Sequence, residues 1–462
     1  MTPKSLMLGA AALAVAASPA ALAEDGDYSS GQTFWNYFFP PKADHPVRWY
    51  ERFGPYPLAS NPHGFDDDFE PGLYGQWQKV DLAASTGAVC GNGSPYKFFV
   101  NRVPDTRNTL VYFEGGGACW DHASCSGEAG IRGARNRDGI PDDYVSSGSP
   151  ATGLVSPFVF REHPYSRTKT QGYNLVYVPY CTGDVYAGDK TVLYEDPTGQ
   201  DAPFVWHHNG VRNTRAVTAW LRDNLPRPTK LIATGCSAGG AGAFVNYAPF
   251  RRDMGSRDAY LINDSGPIFP TDRDGPAAQN PSAPLQSEIE RQWGFGPVFD
   301  YVKSDLPGAR ASDYGTLHGA LSRRFPSDRM GHVHFGHDQN YSAYSYERFY
   351  DRIGNETDPA RKAALLTELW QQDTTKLQGA LEPLGNYGYY FPAFRDVNES
   401  HCATIIDFEH GDVQEAGLEL EDFVDSVLDG QGDVLEARES DDAADRAKPF
   451  NLIYALVGAI LG

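Results

Sequence analysis

From Gln76 onward the chain alternates short apolar runs, glycine-rich turns and amphipathic stretches. Runs at 96–103, 109–113, 174–179, 230–234, 258–263 and 330–335 each read as a strand. Between the third and fourth, Val217, Trp220, Leu221 and Leu225 recur at helical spacing, and Pro226 stops the segment, so 211–225 is expected to be a crossover helix. The same period runs through 359–377 and through 418–428, where Leu420, Phe423, Val424, Val427 and Leu428 share a face and Gly430 marks a stop. Strands alternating with helices predict an α/β fold built on a mostly parallel sheet flanked by helices.

Composition narrows the class. With 462 residues, 41% hydrophobic, 13% aromatic and 21% charged, the chain has material for a substantial core, which excludes a small disulfide scaffold and a disordered chain. The formal charge of −21 repels a polyphosphate at long range, so nucleic acid is not an expected partner. Residues 1–23 have the form of a signal peptide: Lys4, an apolar stretch from Met7 to Ala17, then Ala21, Leu22 and Ala23 before Glu24. Cleavage near Ala23 would make the mature protein secreted or periplasmic. An aromatic- and proline-rich N-terminal extension follows over 24–75, then a catalytic domain over 76–430 and an acidic and apolar tail over 431–462. No other apolar run reaches the roughly 20 residues of a transmembrane helix. Six cysteines in an exported chain suit disulfides, and Cys119 with Cys125 is the one pair close enough to argue locally.

The chemistry concentrates at two glycine motifs, each directly after an apolar run. In LIATGCSAGGAGAF the residues Gly235, Ser237 and Gly239 fit G-x-S-x-G, the tight strand-to-helix turn that leaves a serine hydroxyl exposed over a sheet, with a helix N-terminus behind it. In LVYFEGGGACWD, Gly115, Gly116 and Gly117 form a loop resembling the HGGG-type oxyanion loop of esterases, with Glu114 where that loop has His. Neither the P-loop nor the dinucleotide-binding glycine spacing is present. Gly116, Gly117 and Ala238 are the expected N–H donors.

These blocks, with CGNGSPYKFFV, VPYCTGDVYAGD and LINDSG in the same order, resemble the pectin acetylesterase and Notum family of carboxylesterases. The resemblance spans roughly 76–430. It implies an exported α/β-hydrolase that cleaves a small acyl ester through a Ser-Asp-His triad with no cofactor. Family members often carry an aromatic residue where this chain has Gly117 or Ala118, which puts the acyl pocket in question. The order Ser, acid, His leaves His318, His332, His334, His337, His401 and His410 as bases, and His401 in NESHCATI stands where the last catalytic loop belongs, with His337 second. Family alignment favours Asp338 in HDQNYS as the acid; Asp264 in NDSG is the alternative.

Tyr180, Asp184 and Tyr186, just beyond a strand's carboxyl end, are expected to wall the substrate pocket; a turn held by Asp184 and Asp189 is the competing reading. His207, His208 and Asn209 either line the site or pack. NRDGIPDD at 136–143 alternates oxygen ligands like a calcium loop but lacks the first ligand and the terminal Glu, so no metal is expected. The cluster at 432–446 reads as a solvated acidic face. The resulting expectation is an exported serine carboxylesterase acting on acyl, foremost O-acetyl, esters, with an acetylated polysaccharide among its substrates. A polyester depolymerase or lipase-like esterase and a non-catalytic binding protein on the same fold are the alternatives.

Overall fold

The structure, a computed structural model, describes residues 56, 70, 72–127, 133–145, 156–161, 168–395, 398–405, 408 and 417–440. The signal peptide, most of the 24–75 extension, His410 and the end of the tail lie outside the described residues. Eleven strands are described: β1 (Trp77–Asp81), β2 (Lys97–Asn101), β3 (Thr109–Phe113), β4 (Asn174–Val178), β5 (Lys190–Tyr194), β6 (Phe204–His208), β7 (Lys230–Cys236), β8 (Asp258–Asp264), β9 (Arg329–Val333), β10 (Tyr387–Phe391) and β11 (Glu436–Arg438). The helices longer than one turn are α1 (Gly210–Asn224), α2 (Ala238–Met254), α3 (Ala283–Trp293), α4 (Phe295–Lys303), α5 (Thr316–Arg324), α6 (Gln339–Tyr346), α7 (Pro359–Leu381) and α8 (Leu420–Leu428).

Nine strands form one sheet in the order β1-β2-β4-β3-β7-β8-β9-β10-β11, and β5 and β6 pair apart as a hairpin. The first two pairings are antiparallel and every pairing from β4 to β11 is parallel. Central strands such as TLVYF and NLVYV are buried at every position, as strands covered on both faces must be. The edge strand WQKVD instead alternates buried and half-buried positions. Helix α2 packs on β7 and β8, while α8 covers β8, β9 and β10. Gly331 of β9 makes the second contact close, since a Cβ there would press on Phe423 and Val427. This is the expected mostly parallel sheet flanked by helices, and its order with the hairpin set aside is that of an α/β-hydrolase.

The 430 boundary needs correction. β11 pairs in register with β10 and Glu439 is buried against Arg395, so part of the 431–462 tail is built into the sheet. The amphipathic helix before it hid a three-residue strand too short to show a period. Tyr56 of the extension is likewise buried, accepting from Arg215 Nε at 3.1 Å and meeting the Tyr301 ring at 5.1 Å. No helix among the described residues is long and apolar enough to cross a membrane.

Candidate active site

β7 ends at Cys236, α2 starts at Ala238, and Ser237 between them takes φ 58° and ψ −124°. A left-handed serine persists only where its surroundings enforce it. Here the Ser237 amide donates to the Asp264 carbonyl at 2.8 Å and its own carbonyl accepts from Ala241 at 3.1 Å. The flanking glycines are steric necessities, because a Cβ on either Gly235 or Gly239 would overlap the Phe113 carbonyl at the end of β3.

The glycine loop after β3 lies directly against this turn. A Cβ on Gly115 would sit 2.7 Å from the Cys236 carbonyl oxygen and 3.3 Å from Ser237 Cβ. Gly116 and Gly117 take φ 146° and 67°, and Gly117, Ser237 and Ala238 line one cavity of about 280 Å³ with Val185, Asn340, Tyr341 and Tyr344. Ala238 opens α2, so its amide has no acceptor within the helix. The expected Cys119–Cys125 disulfide is present and stiffens the far end of the loop.

Glu114 anchors the loop from below, a role the sequence reading missed. It is buried; its carboxylate accepts from the Tyr144 hydroxyl at 2.6 Å and the Tyr180 amide at 3.0 Å, and Arg135 Nε is 3.4 Å away. Satisfied in this way, a buried carboxylate fixes the loop it starts. Its signal was the exchange of His for Glu at the head of the glycine run.

Asp338 and His401 meet across the ends of β9 and β10. Asp338 caps α6, accepting from the Tyr341 amide at 2.7 Å through Oδ1, while Oδ2 lies 2.7 Å from His401 Nδ1. Both are buried. Burial alone pushes the His401 pKa down, but Asp338, by charge and hydrogen bond, and Asp264 behind it outweigh burial and raise it.

Asp264 does not pair with His401. One of its oxygens takes the Ser265 hydroxyl at 2.9 Å and the Ala403 amide at 3.2 Å; the other takes the Thr404 amide and hydroxyl, each at 2.7 Å. It ties the segment after His401 to the end of β8. Arg395 and Glu439 tie down the segment before it: Glu439 pairs with Arg395 at 2.7 Å, and the Arg395 amide donates to Ser400 Oγ at 3.0 Å. Glu439 is therefore a buried brace, not part of a solvated acidic face.

Tyr180, Asp184 and Tyr186 do not wall the cavity. All three are buried and spent on the protein itself. The Tyr186 hydroxyl donates to the Glu114 and Val178 carbonyls at 2.8 Å each, the Tyr180 hydroxyl accepts from the Val185 amide at 2.7 Å, and Asp184 accepts from Thr182 and from the Tyr186, Gly188 and Gly210 amides. Burial pushes the Asp184 pKa up to about 6. The turn they brace presents Val185, which does reach the cavity, so of the two readings the geometry fits the braced turn.

Of the other histidines, His318, His332 and His334 are buried in the core, and burial lowers their pKa values. His208 is buried too, against Tyr194 at 2.8 Å and the Thr182 carbonyl at 3.1 Å. In the 136–143 segment Asn136 donates through Nδ2 to the Tyr144 hydroxyl and the Tyr180 carbonyl at 2.9 Å each, and Asp142 pairs with Lys79 and Lys97, so these two residues serve the fold. Cys119, Cys125 and His208, and Cys236, His401 and Cys402, cluster as metal ligands do, but their cysteines are joined in disulfides and offer no thiolate.

The pectinacetylesterase family model matches residues 71–275. That match bears out the resemblance read from the motifs, and it covers the glycine loop and Ser237 but ends before Asp338 and His401. Among curated proteins, the palmitoleoyl-protein carboxylesterase NOTUM of Drosophila melanogaster is 30% identical over 166 residues, 35% of this chain and 23% of that protein. Notum2 of Xenopus laevis, of the same description, is 26% identical over 176 residues, 36% of this chain and 31% of that protein. The chain thus spans less than a third of the length of these relatives. A protein of Danio rerio described as an inactive palmitoleoyl-protein carboxylesterase, notum1b, is 25% identical over 111 residues, 24% of this chain and 73% of that protein. A crystal structure of the Wnt deacylase Notum from Drosophila superposes with a TM-score of 0.50 at 20% identity, covering 78% of this chain and 96% of that one. That likeness shows the α/β-hydrolase fold.

Proposed function

We propose that the chain is an exported serine carboxylesterase in which Ser237 is the nucleophile, His401 the base and Asp338 the acid that orients it. The observation that carries this reading is the buried 2.7 Å contact from Asp338 to His401 Nδ1, on a loop bonded through Cys402 to Cys236, the residue before a serine on a left-handed strand-to-helix turn. With Nδ1 engaged, the neutral ring offers Nε2 to the Ser237 proton. The serine oxygen attacks the ester carbonyl, the Gly116, Gly117 and Ala238 amides receive the oxyanion, and His401 returns its proton to the leaving alcohol. Water then releases the acid by the same route. Three disulfides among the described residues support an oxidising, extracytoplasmic compartment.

For the acyl group we take a short chain, acetyl foremost, on a polysaccharide or another alcohol, because the space beside Ser237 is bounded by Val185, Tyr341 and Tyr344. A longer acyl chain is the second reading. A neighbouring apolar cavity of about 530 Å³, lined by Phe269, Leu285, Phe295 and Leu317, shares Val185 and Tyr341 with the first. A p-nitrophenyl ester series from acetate upward tests both, with Ser237→Ala as control. The wild type should hydrolyse acetate fastest and Ser237→Ala should lose about 10⁴-fold or more in kcat. Equal rates in the two proteins would leave a non-catalytic binding protein, and a maximum at long chains would favour the second reading.

A further inference from the structure

The residue before Ser237 and the residue after His401 are bonded to each other. Cys236 closes β7, Cys402 follows the imidazole, and their disulfide joins positions 166 apart in sequence with Cα atoms 5.7 Å apart. Both cysteines are buried, and a His401 ring nitrogen lies within 4.8 Å of their sulfurs. The two ends of this link differ in rigidity. Cys236 belongs to a strand paired on both sides, by β3 and by β8. His401 sits in a loop where Glu399, Ser400 and Cys402 all take left-handed φ, at 56°, 52° and 67°. Such a backbone relaxes unless it is tied down.

The ties on this loop divide by what they fix. Asp338 sets the ring's direction, Ser265 Oγ takes the Cys402 amide at 3.0 Å, and Asp264 takes the amides of Ala403 and Thr404. Those bonds run to the ends of β8 and β9. The disulfide runs to the nucleophile's own strand, so it sets the spacing between base and nucleophile directly.

Resting on the serine esterase reading above, we propose that the Cys236–Cys402 disulfide is a positioning element, holding His401 within hydrogen-bond reach of Ser237, and that turnover depends on its oxidation. Forming it takes two protons and two electrons from the two thiols, and a disulfide-bearing oxidant receives them and leaves as a dithiol. Proton transfer needs the base within about 3.2 Å of the hydroxyl, and a displacement of about 1 Å costs about 10²-fold.

The test compares Cys236→Ala/Cys402→Ala with the wild type and with Cys90→Ala/Cys181→Ala, a bridge whose Cα atoms are 5.1 Å apart and which joins neither the Ser237 turn nor the His401 loop. Well below the melting temperature, the first variant should lose about 10²-fold in kcat with KM changed less than about threefold. Its acid limb should stay in place, because Asp338 still holds the ring. The control should lose melting temperature while its folded fraction keeps kcat. A kcat within about threefold of the wild type in the first variant overturns the proposal. Should that variant not fold, the oxidised wild type is treated with a water-soluble phosphine, which becomes its oxide as water supplies the oxygen and the thiol protons. Activity is measured before the freed thiols are alkylated and mapped. Loss in step with opening of Cys236–Cys402 supports the proposal; activity kept after that bridge has opened overturns it. If the wild type cleaves no ester, the esterase reading fails by itself, and amide hydrogen exchange decides the clamp. Lost protection confined to 398–405 and the start of α2 supports it, whereas loss spread over the whole sheet overturns it.

Discussion

Left-handed backbone gathers at one place on this molecule. Of the nine non-glycine residues with positive φ among the described residues, seven, Val185, Tyr186, Ser237, Ser265, Glu399, Ser400 and Cys402, belong to the cavity or to a loop that builds it, while Asp105 and Asn136 lie in other turns. Each costs about 1–3 kcal/mol, and buried polar ties such as Asp264 to Thr404 and Glu439 to Arg395 hold them in place. The same closeness sets the pH response. Burial disfavours the His401 imidazolium, but Asp338 outweighs it and the pKa is raised, so the neutral base becomes the major form only at a pH above the ordinary value of about 6.5. The acid limb of kcat/KM should therefore stand above that value. Asp338→Asn should move the His401 ring titration, followed by NMR, to lower pH and reduce kcat about 10⁴-fold. A titration that stays put there and moves in Asp264→Asn would give the acid's role to Asp264. Stability runs the other way from activity. With the folded pKa raised, the stabilisation from protonated His401 is complete below its unfolded value and is lost as pH rises through the folded one.

At the level of elements, β3 and β7 bring two glycine turns into contact, and Gly115 is where they touch. Gly115→Ala would set a Cβ 2.7 Å from the Cys236 carbonyl oxygen, so the loop must retreat from Ser237. The expected result is a kcat loss of about 10²-fold with near-wild-type KM for p-nitrophenyl acetate and an intact circular dichroism spectrum. An unchanged kcat would mean that the loop does not serve the oxyanion. The elements that frame these turns were legible from the chain. β3 has the predicted bounds, β4, β7, β8 and β9 differ by three residues or fewer at either end, and α1 begins one residue early. Their signals were strong because buried parallel strands are apolar throughout and a surface helix shows its period. The β5–β6 hairpin escaped because KTVLY and FVWHH mix exposed and buried positions, leaving Leu193 and Val205 exposed. In the site, Ser237 and its glycines were legible because a tight turn restricts residue type. Tyr180, Asp184 and Tyr186 stayed open between a pocket wall and a braced turn because nothing in a sequence tells a tyrosine aimed at a ligand from one donating to a carbonyl. The Cys236–Cys402 bridge had a signal that went unused, a cysteine beside the proposed nucleophile and another beside the proposed base.

Over the whole molecule the chain carries a net charge of −21, and that charge bears on which ester can approach. An acidic protein and a polyanionic polymer repel each other over a Debye length, about 30 Å at 0.01 M salt and about 8 Å at 0.15 M. If the substrate is acetylated polygalacturonate, kcat/KM should rise as salt shortens that distance, because the rate of encounter is what repulsion limits. A neutral acetylated polymer of similar length has no such barrier and should give a flat profile. Acetate release from both polymers, measured across this salt range at one pH, separates the cases. A rate on the anionic polymer that falls with salt would mean attraction, and with it a basic approach to the Ser237 cavity that overrides the net charge. A rate that rises while the neutral polymer remains the faster substrate at every salt concentration would make uncharged acetyl esters the better match for this surface.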